Sequence, residues 1–106
     1  MEMIDSLTLE LRRGAIVLAV LSQLHEEQYG YSLMKRLEEM GFGVDQGTLY
    51  PLLRRLEENG LLDSEWIVEG SRPRRYYQLN ETGRELLEAL QGEWNALNQV
   101  MEKLLA

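Results

Sequence analysis

Cysteine is absent from the 106 residues. Disulfides, thiolate metal sites and a cysteine nucleophile are therefore excluded, and nothing points to an oxidising compartment. Histidine occurs once, as His25, so one chain holds neither a histidine metal cluster nor a two-histidine relay. At a helix end, His25 reads as a solvated or capping residue rather than a switch. Long apolar runs are missing too. The longest, Ala15 to Leu21, falls far short of the roughly 20 residues of a membrane span. Glu2, Asp5 and Glu10 precede that run and no small-residue cleavage site follows it, unlike a secretory leader. The expectation is one small, soluble, cytoplasmic domain with no metal or cofactor.

Hydrophobic residues make up 44% and charged residues 27%, a globular balance rather than a disordered one. Net charge is −7, which argues at first sight against a nucleic-acid partner. The distribution is uneven, however. Arg72, Arg74 and Arg75 lie in residues 70–80 with no acid among them, while the acids form doublets (Glu26–Glu27, Glu38–Glu39, Glu57–Glu58) read as solvated helix faces. An acidic body with a local basic projection still binds DNA, because counterion release depends on local contacts.

Periodicity and punctuation divide the chain into four helices and one hairpin. Residues 1–8 read as an arm. An apolar-rich helix runs from about Leu9 to Leu24, with Gly14 inside the pattern. Tyr29-Gly30 breaks the chain. A shorter helix follows with Leu33, Met34, Leu37 and Met40 on one stripe, and Gly41 stands where a left-handed C-terminal cap belongs. Gly41-Phe42-Gly43 lacks the preceding strand and third glycine of a nucleotide fingerprint. The methionines Met34, Met40 and Met101 read as core filler, not a soft-metal site.

The third helix covers roughly 46–59, capped by Asp45 and ended by Gly60. Leu49, Leu52, Leu53 and Leu56 share one face, which turns Gln46, Gly47, Thr48, Tyr50, Arg54 and Arg55 outward. Pro51 is tolerable near the first turn, where backbone N–H groups lack helical partners. From residue 61 the period falls to 2: Leu62, Trp66 and Val68 share one strand face, and Asp63 and Glu65 the other. After a turn at Glu69–Arg72, Tyr77 and Leu79 return inward with Tyr76 and Gln78 outward, giving a hairpin with a basic tip.

A long helix opens at Asn80 or Thr82, the latter starting a possible capping box, Thr82-Gly83-Arg84-Glu85. It runs to the end of the chain, about 37 Å if unbroken. Leu87, Leu90, Trp94, Leu97, Met101 and Leu104 are spaced as a heptad seam, flanked by a second stripe of Leu86, Ala89, Ala96 and Val100. Two stripes need two partners, and a domain this small does not cover both. A homodimer follows as an expectation, with that seam as its interface.

Three helices and then a hairpin is the order of a winged helix-turn-helix, in which the third helix enters the major groove and the wing reaches backbone or minor groove. The expected fold is mainly α with a small β-hairpin: residues 1–80 form the DNA-binding domain and 81–106 the dimerisation helix, packed as one compact unit. Small and hydroxylated residues open the third helix, whose dipole favours a phosphate there. Candidate DNA contacts are Gln46, Thr48, Tyr50, Arg54 and Arg55, with Arg72, Arg74 and Arg75 on the wing.

These residues carry a family resemblance. GTLYPLLRRLEENGLL at 47–62, Trp66, and RPRRYYQLNETG at 72–83 are similar to the PadR family of bacterial and archaeal transcriptional regulators. RGAIVLAVLSQL at 13–24 and YGYSLMKRLE at 29–38 match its first two helices in order and spacing. Arg75 stands where the family usually has lysine and Asn80 where it usually has threonine; both keep the physical role. The resemblance implies a dimeric winged-helix repressor in which Thr48, Tyr50 and Arg54 belong to the recognition helix, Tyr29 and Tyr31 frame the second helix, and Arg72–Arg75 form the wing. It also implies a response to phenolic or drug-like compounds. With only one helix after the wing, as in the family's shorter members, such a ligand must use the dimer interface or the groove beside it. Trp94 is then either a packing residue of the seam or, paired across a two-fold axis, a platform for a flat aromatic molecule.

The reading is a sequence-specific regulator of transcription, a homodimeric repressor on a pseudo-palindromic operator. The rival is a winged-helix protein-interaction module without DNA readout, favoured by the net acidity. An enzyme is rejected: without cysteine or a phosphate loop, and with one histidine, catalysis would rest on carboxylates or serine in a domain too small for a deep cleft.

Overall fold

A computed structural model describes all 106 residues. Five helices and three strands follow in the order α1 (Glu2–Arg13), α2 (Ile16–Ser22), β1 (Gln28–Tyr29), α3 (Gly30–Glu39), α4 (Gln46–Glu58), β2 (Leu62–Glu69), β3 (Arg72–Leu79) and α5 (Glu81–Leu105). The sheet is antiparallel in the order β1-β3-β2. The mainly helical winged-helix class expected from the sequence is the class observed, and the helix expected third in the chain is the fourth, α4.

The extra helix comes from the N-terminus. Residues 1–8 are not an arm but most of α1, and the long first helix is cut at Gly14 and Ala15. Ala15 bonds back only three residues, to the Arg12 carbonyl, and the chain turns there before α2 begins. No residue of α1 is buried: Met3, Ile4, Leu7 and Leu11 are all exposed. Arg12 ties the helix to the body, donating to the Gly41 carbonyl at 2.7 Å and lying 5.2 Å from the Phe42 ring centroid.

The core is a leucine cluster. Val20, Leu21 and Leu24 meet Leu33 and Leu37 from α3, Leu49, Leu52, Leu53 and Leu56 from α4, and Leu62, Tyr77 and Leu79 from the sheet. All four leucines expected on one face of α4 are buried, which aims the opposite face at solvent. Met40 departs from its expected stripe: it is the C-cap of α3 and exposed, so the stripe ends at Leu37. Gly41 does adopt the left-handed conformation, at φ 94°, and Phe42 N–H reaches the Leu37 carbonyl across it.

Two side-chain caps set the helices that matter for function. Asp45 accepts from Thr48 N–H at 2.8 Å, opening α4, and Asn80 accepts from Gly83 N–H at 2.9 Å, opening α5. The alternative capping box at Thr82 is therefore not the start of α5. Pro51 is the sixth residue of α4 and so lies beyond the first turn; it leaves the Gly47 carbonyl, at an exposed position, without its helical donor.

The first turn of α5 docks tightly on the chain entering β2. Gly83 is buried, and a β-carbon there would collide with the Leu61 carbonyl oxygen and with Leu79. Beyond Leu90 the helix leaves the body, and every residue from Gln91 onward is exposed. Gly83→Ala is expected to destabilise the fold by about 2 kcal/mol or more, since backbone must shift. Gly92→Ala, in open space on the same helix, should stabilise it by about 0.5–1 kcal/mol. Urea unfolding followed by circular dichroism reads both.

Candidate nucleic-acid interface

The wing and α4 meet through alternating residues of the sheet. Leu62, Ser64, Trp66 and Val68 of β2 pair with Leu79, Tyr77, Arg75 and Pro73 of β3, and these eight share the face toward α4. Only the end near the turn into α5 is buried. Trp66 and Val68, expected to face inward, are 64% and 68% exposed because the hairpin extends past the helical body. The strand at Gln28–Tyr29 lacked a sequence signal: two residues are too few to show a period. It pairs with β3 through Gln28 opposite Tyr77 and Tyr29 opposite Tyr76.

The same alternation sorts the wing arginines. Arg75 has the phase of Tyr77 and Leu79 and points toward α4. Its Nη2 donates to Glu57 Oε1 at 2.7 Å and its Nε to Ser64 Oγ at 3.0 Å, while Ser64 also donates to Glu57. Trp66 and Tyr77 flank it, each ring centroid 5.7 Å from the guanidinium carbon. Arg74 points to the other face, where it pairs with Glu69 at 3.1 Å and lies 4.4 Å from the Tyr29 ring centroid. The fold thus supplies acids that residues 70–80 lack, and Glu57 is a structural partner rather than half of a solvated doublet. Arg72, at the tip, is exposed and makes no ion pair; Arg54 and Arg55 on α4 are likewise exposed and unpaired.

Around one hollow the structure gathers Tyr50, Arg54, Arg74 and Arg75. Arg72 lines an adjoining depression with Tyr29, Tyr31 and Pro73. Thr48 stands apart from both, beside Asp45, Arg12 and Arg13. Gln46 and Arg55 are exposed on α4 but line neither hollow. Tyr50 is half-buried because its ring lies over Gly30, where any side chain would collide with it. The heptad residues are set differently again: Leu87 is buried in the body, Leu90 half-buried, and Trp94, Leu97, Met101 and Leu104 are exposed along α5.

Electrostatics divides the surface. On the sheet face away from α4, Glu27 stands against Glu65; lost hydration and that neighbouring carboxylate raise the Glu27 pKa. That side repels phosphate. The Asp45 carboxylate is held below the ordinary aspartate range by Thr48, first through its side chain and then through the backbone N–H it accepts from. The start of α4, expected to favour a phosphate, is therefore already occupied by the protein's own anion. Tyr76 is raised by its bond to Glu69, and Tyr77 by burial, partly offset by Arg75.

The Glu57–Arg75–Ser64 cluster is a polar link between the wing and α4, and only the phase of β3 hints at it in the sequence. Glu57→Gln keeps the shape but removes the charge. Amide exchange of residues 64–75 is expected to quicken while that of α2 is unchanged; equal rates in both proteins would show that the pair does not hold the wing.

Comparison with known proteins agrees with this architecture. The Transcriptional regulator PadR-like family matches residues 17–89. Transcriptional regulator Rv3488 of Mycobacterium tuberculosis is 38% identical over 97 residues, covering 91% of this chain and 88% of that protein. A crystal structure of a PadR family transcriptional regulator from Eggerthella lenta superposes with a TM-score of 0.93 at 47% identity, covering 98% of this chain and 93% of the other. A PadR-like transcriptional regulator from Bacillus cereus gives 0.81 at 29%, covering 91% and 96%. With the family match extending from α2 into α5, and relatives that agree over nearly the whole length, the chain belongs to the PadR-like family of transcriptional regulators.

Proposed function

We propose that this regulator works as a homodimer that binds a pseudo-palindromic operator and represses transcription inside the cell. The observation that carries the reading is the outward face of α4 beside the wing: Tyr50 and Arg54 share a hollow with Arg74 and Arg75, and Arg72 projects unpaired at the tip. In this reading Thr48, Tyr50 and Arg54, with Gln46 and Arg55, position or read DNA in the major groove. Arg72 grips phosphate or minor groove, and Arg74 and Arg75 hold the wing in place while presenting their remaining donors. The family membership supports DNA binding as the activity.

The seam of α5 supports self-association. Trp94, Leu97, Met101 and Leu104 lie exposed on a helix that extends past the body, with the apolar face of α1 exposed as well. Uncovered apolar area of that kind favours association with a second copy. Two reading heads would then enter successive major grooves roughly 34–36 Å apart. A small aromatic ligand beside Trp94 would relieve repression by favouring one dimer state over the other, since only differential binding shifts the equilibrium.

Fluorescence anisotropy with DNA from upstream of the protein's own gene tests the reading head, against a scrambled duplex over several salt concentrations. Specific binding should weaken with salt by a log–log slope near −0.9 per neutralised phosphate. Tyr50→Ala should lose about tenfold in affinity, and Arg72→Ala should lower the slope by about 1. No binding to any duplex at low salt would move the reading to a protein-interaction module.

Sedimentation tests the seam. Trp94→Ala is expected to shift the protein toward monomer at micromolar concentration, as loss of a central packing residue should. An intact dimer that no longer takes up aromatic compounds would instead make Trp94 a ligand platform.

A further inference from the structure

Helix α1 is tied to the rest of the molecule by one polar side chain. None of its residues is buried, and Arg12 alone among its side chains makes a hydrogen bond. That bond reaches a residue 29 positions away, in the turn between α3 and α4. The guanidinium donates to the Gly41 carbonyl oxygen and lies over the Phe42 ring. A polar contact at an exposed position ordinarily counts for little. Here the segment it holds makes the difference.

The turn has few bonds of its own. Gly41 and Phe42 donate back into α3, to the Glu38 and Leu37 carbonyls, whereas Gly43, Val44 and Asp45 donate to no backbone carbonyl. The left-handed Gly41 in turn has a carbonyl that no backbone N–H reaches, and Arg12 fills that vacancy. Beyond it, the side chains of Phe42 and Val44 on the core and the Asp45 cap hold the chain. The first buried residue of α4 is Leu49. Ahead of it Gln46, Gly47 and Thr48 are exposed and take their place from the turn. Leu9, Arg12 and Arg13 line one cleft of about 340 Å³ with Val44, Asp45 and Thr48, so the last turn of α1 stands beside the start of α4.

We propose that Arg12 is a positioning residue for DNA binding: from α1 it holds the α3–α4 turn, and through the turn it sets the exposed start of α4. This role rests on the reading of α4 as the DNA-facing helix. Its two contacts converge on the turn. The hydrogen bond fixes the Gly41 carbonyl, and the cation steadies the Phe42 ring that anchors the turn to the core. Arg13, next in sequence, makes neither contact. Because α1 also exposes the apolar stripe of Met3, Ile4, Leu7 and Leu11, Arg12 stands where the proposed pairing surface and the reading head meet.

Two variants separate the role from a general loss of stability. Arg12→Met keeps the aliphatic stem and the helix propensity but removes the donors and the charge. Arg12→Lys keeps a cation and a donor. The first arm is hydrogen exchange without DNA. Arg12→Met is expected to speed exchange of the Phe42 and Thr48 amides about tenfold and to leave Val20 and Leu21 unchanged, with Arg12→Lys recovering most of the protection. Equal rates in all three proteins would show that Arg12 holds nothing. Equal acceleration at Val20 and Leu21 would reduce it to a residue of general stability, and either result overturns the proposal. The second arm is fluorescence anisotropy with the upstream duplex over several salt concentrations. Arg12→Met should weaken specific binding about tenfold with the log–log slope unchanged, and Arg12→Lys should regain most of it. A slope lower by about 1 would make Arg12 a phosphate contact instead, and undiminished affinity would equally refute the positioning role. If the wild type binds no duplex, the reading of α4 fails, and the exchange arm still decides whether Arg12 holds the turn.

Discussion

The buried leucine face of α4 is the constraint on which the rest depends. Leu49, Leu52, Leu53 and Leu56 all enter the core, so the helix cannot rotate without exposing them. Each such side chain stabilises the fold by about 1.5–3 kcal/mol when fully buried. That fixed rotation sends Thr48, Arg54 and Arg55 outward and leaves Tyr50 at the boundary, folded over Gly30. It also places Glu57 beneath the wing, where Arg75 and Ser64 meet it. One packing decision thus positions both the exposed face of the helix and the hairpin beside it.

The acidic chain and its DNA-facing role are reconciled by geography. Glu27 and Glu65 oppose each other on the far side of the sheet, and one acid of the wing, Glu69, and one of α4, Glu57, hold two of the wing's arginines. The unpaired cations Arg54, Arg55 and Arg72 remain on the α4 and wing side. With only three unpaired arginines on α4 and the wing, nonspecific attraction to DNA is expected to be modest and reliance on shape and polar contacts greater.

Much of this was legible in the sequence because strong periodicity leaves few alternatives. The α4 leucines, the α5 heptads, the caps at Asp45 and Asn80, and the inward phase of Tyr77 and Leu79 all follow from spacing. What was hidden depends on contacts remote in sequence. No local pattern shows that Glu57 reaches Arg75, that two residues at Gln28–Tyr29 join β3, or that Trp66 projects beyond the core. The N-terminal helix was hidden for another reason: residues 1–8 look polar enough for an arm, and α1 buries nothing in the single chain. Its stripe of Met3, Ile4, Leu7 and Leu11 is helical in spacing but has no partner within the fold to reinforce it.

The central claim is that two copies of the α4 face read one stretch of DNA. Hydroxyl-radical footprinting on the bound upstream duplex tests it most directly. Two protected patches are expected, their centres about 10–10.5 base pairs or a multiple apart and related by the pseudo-two-fold of the sequence. A single patch, or protection that ignores the symmetry of the site, would contradict it.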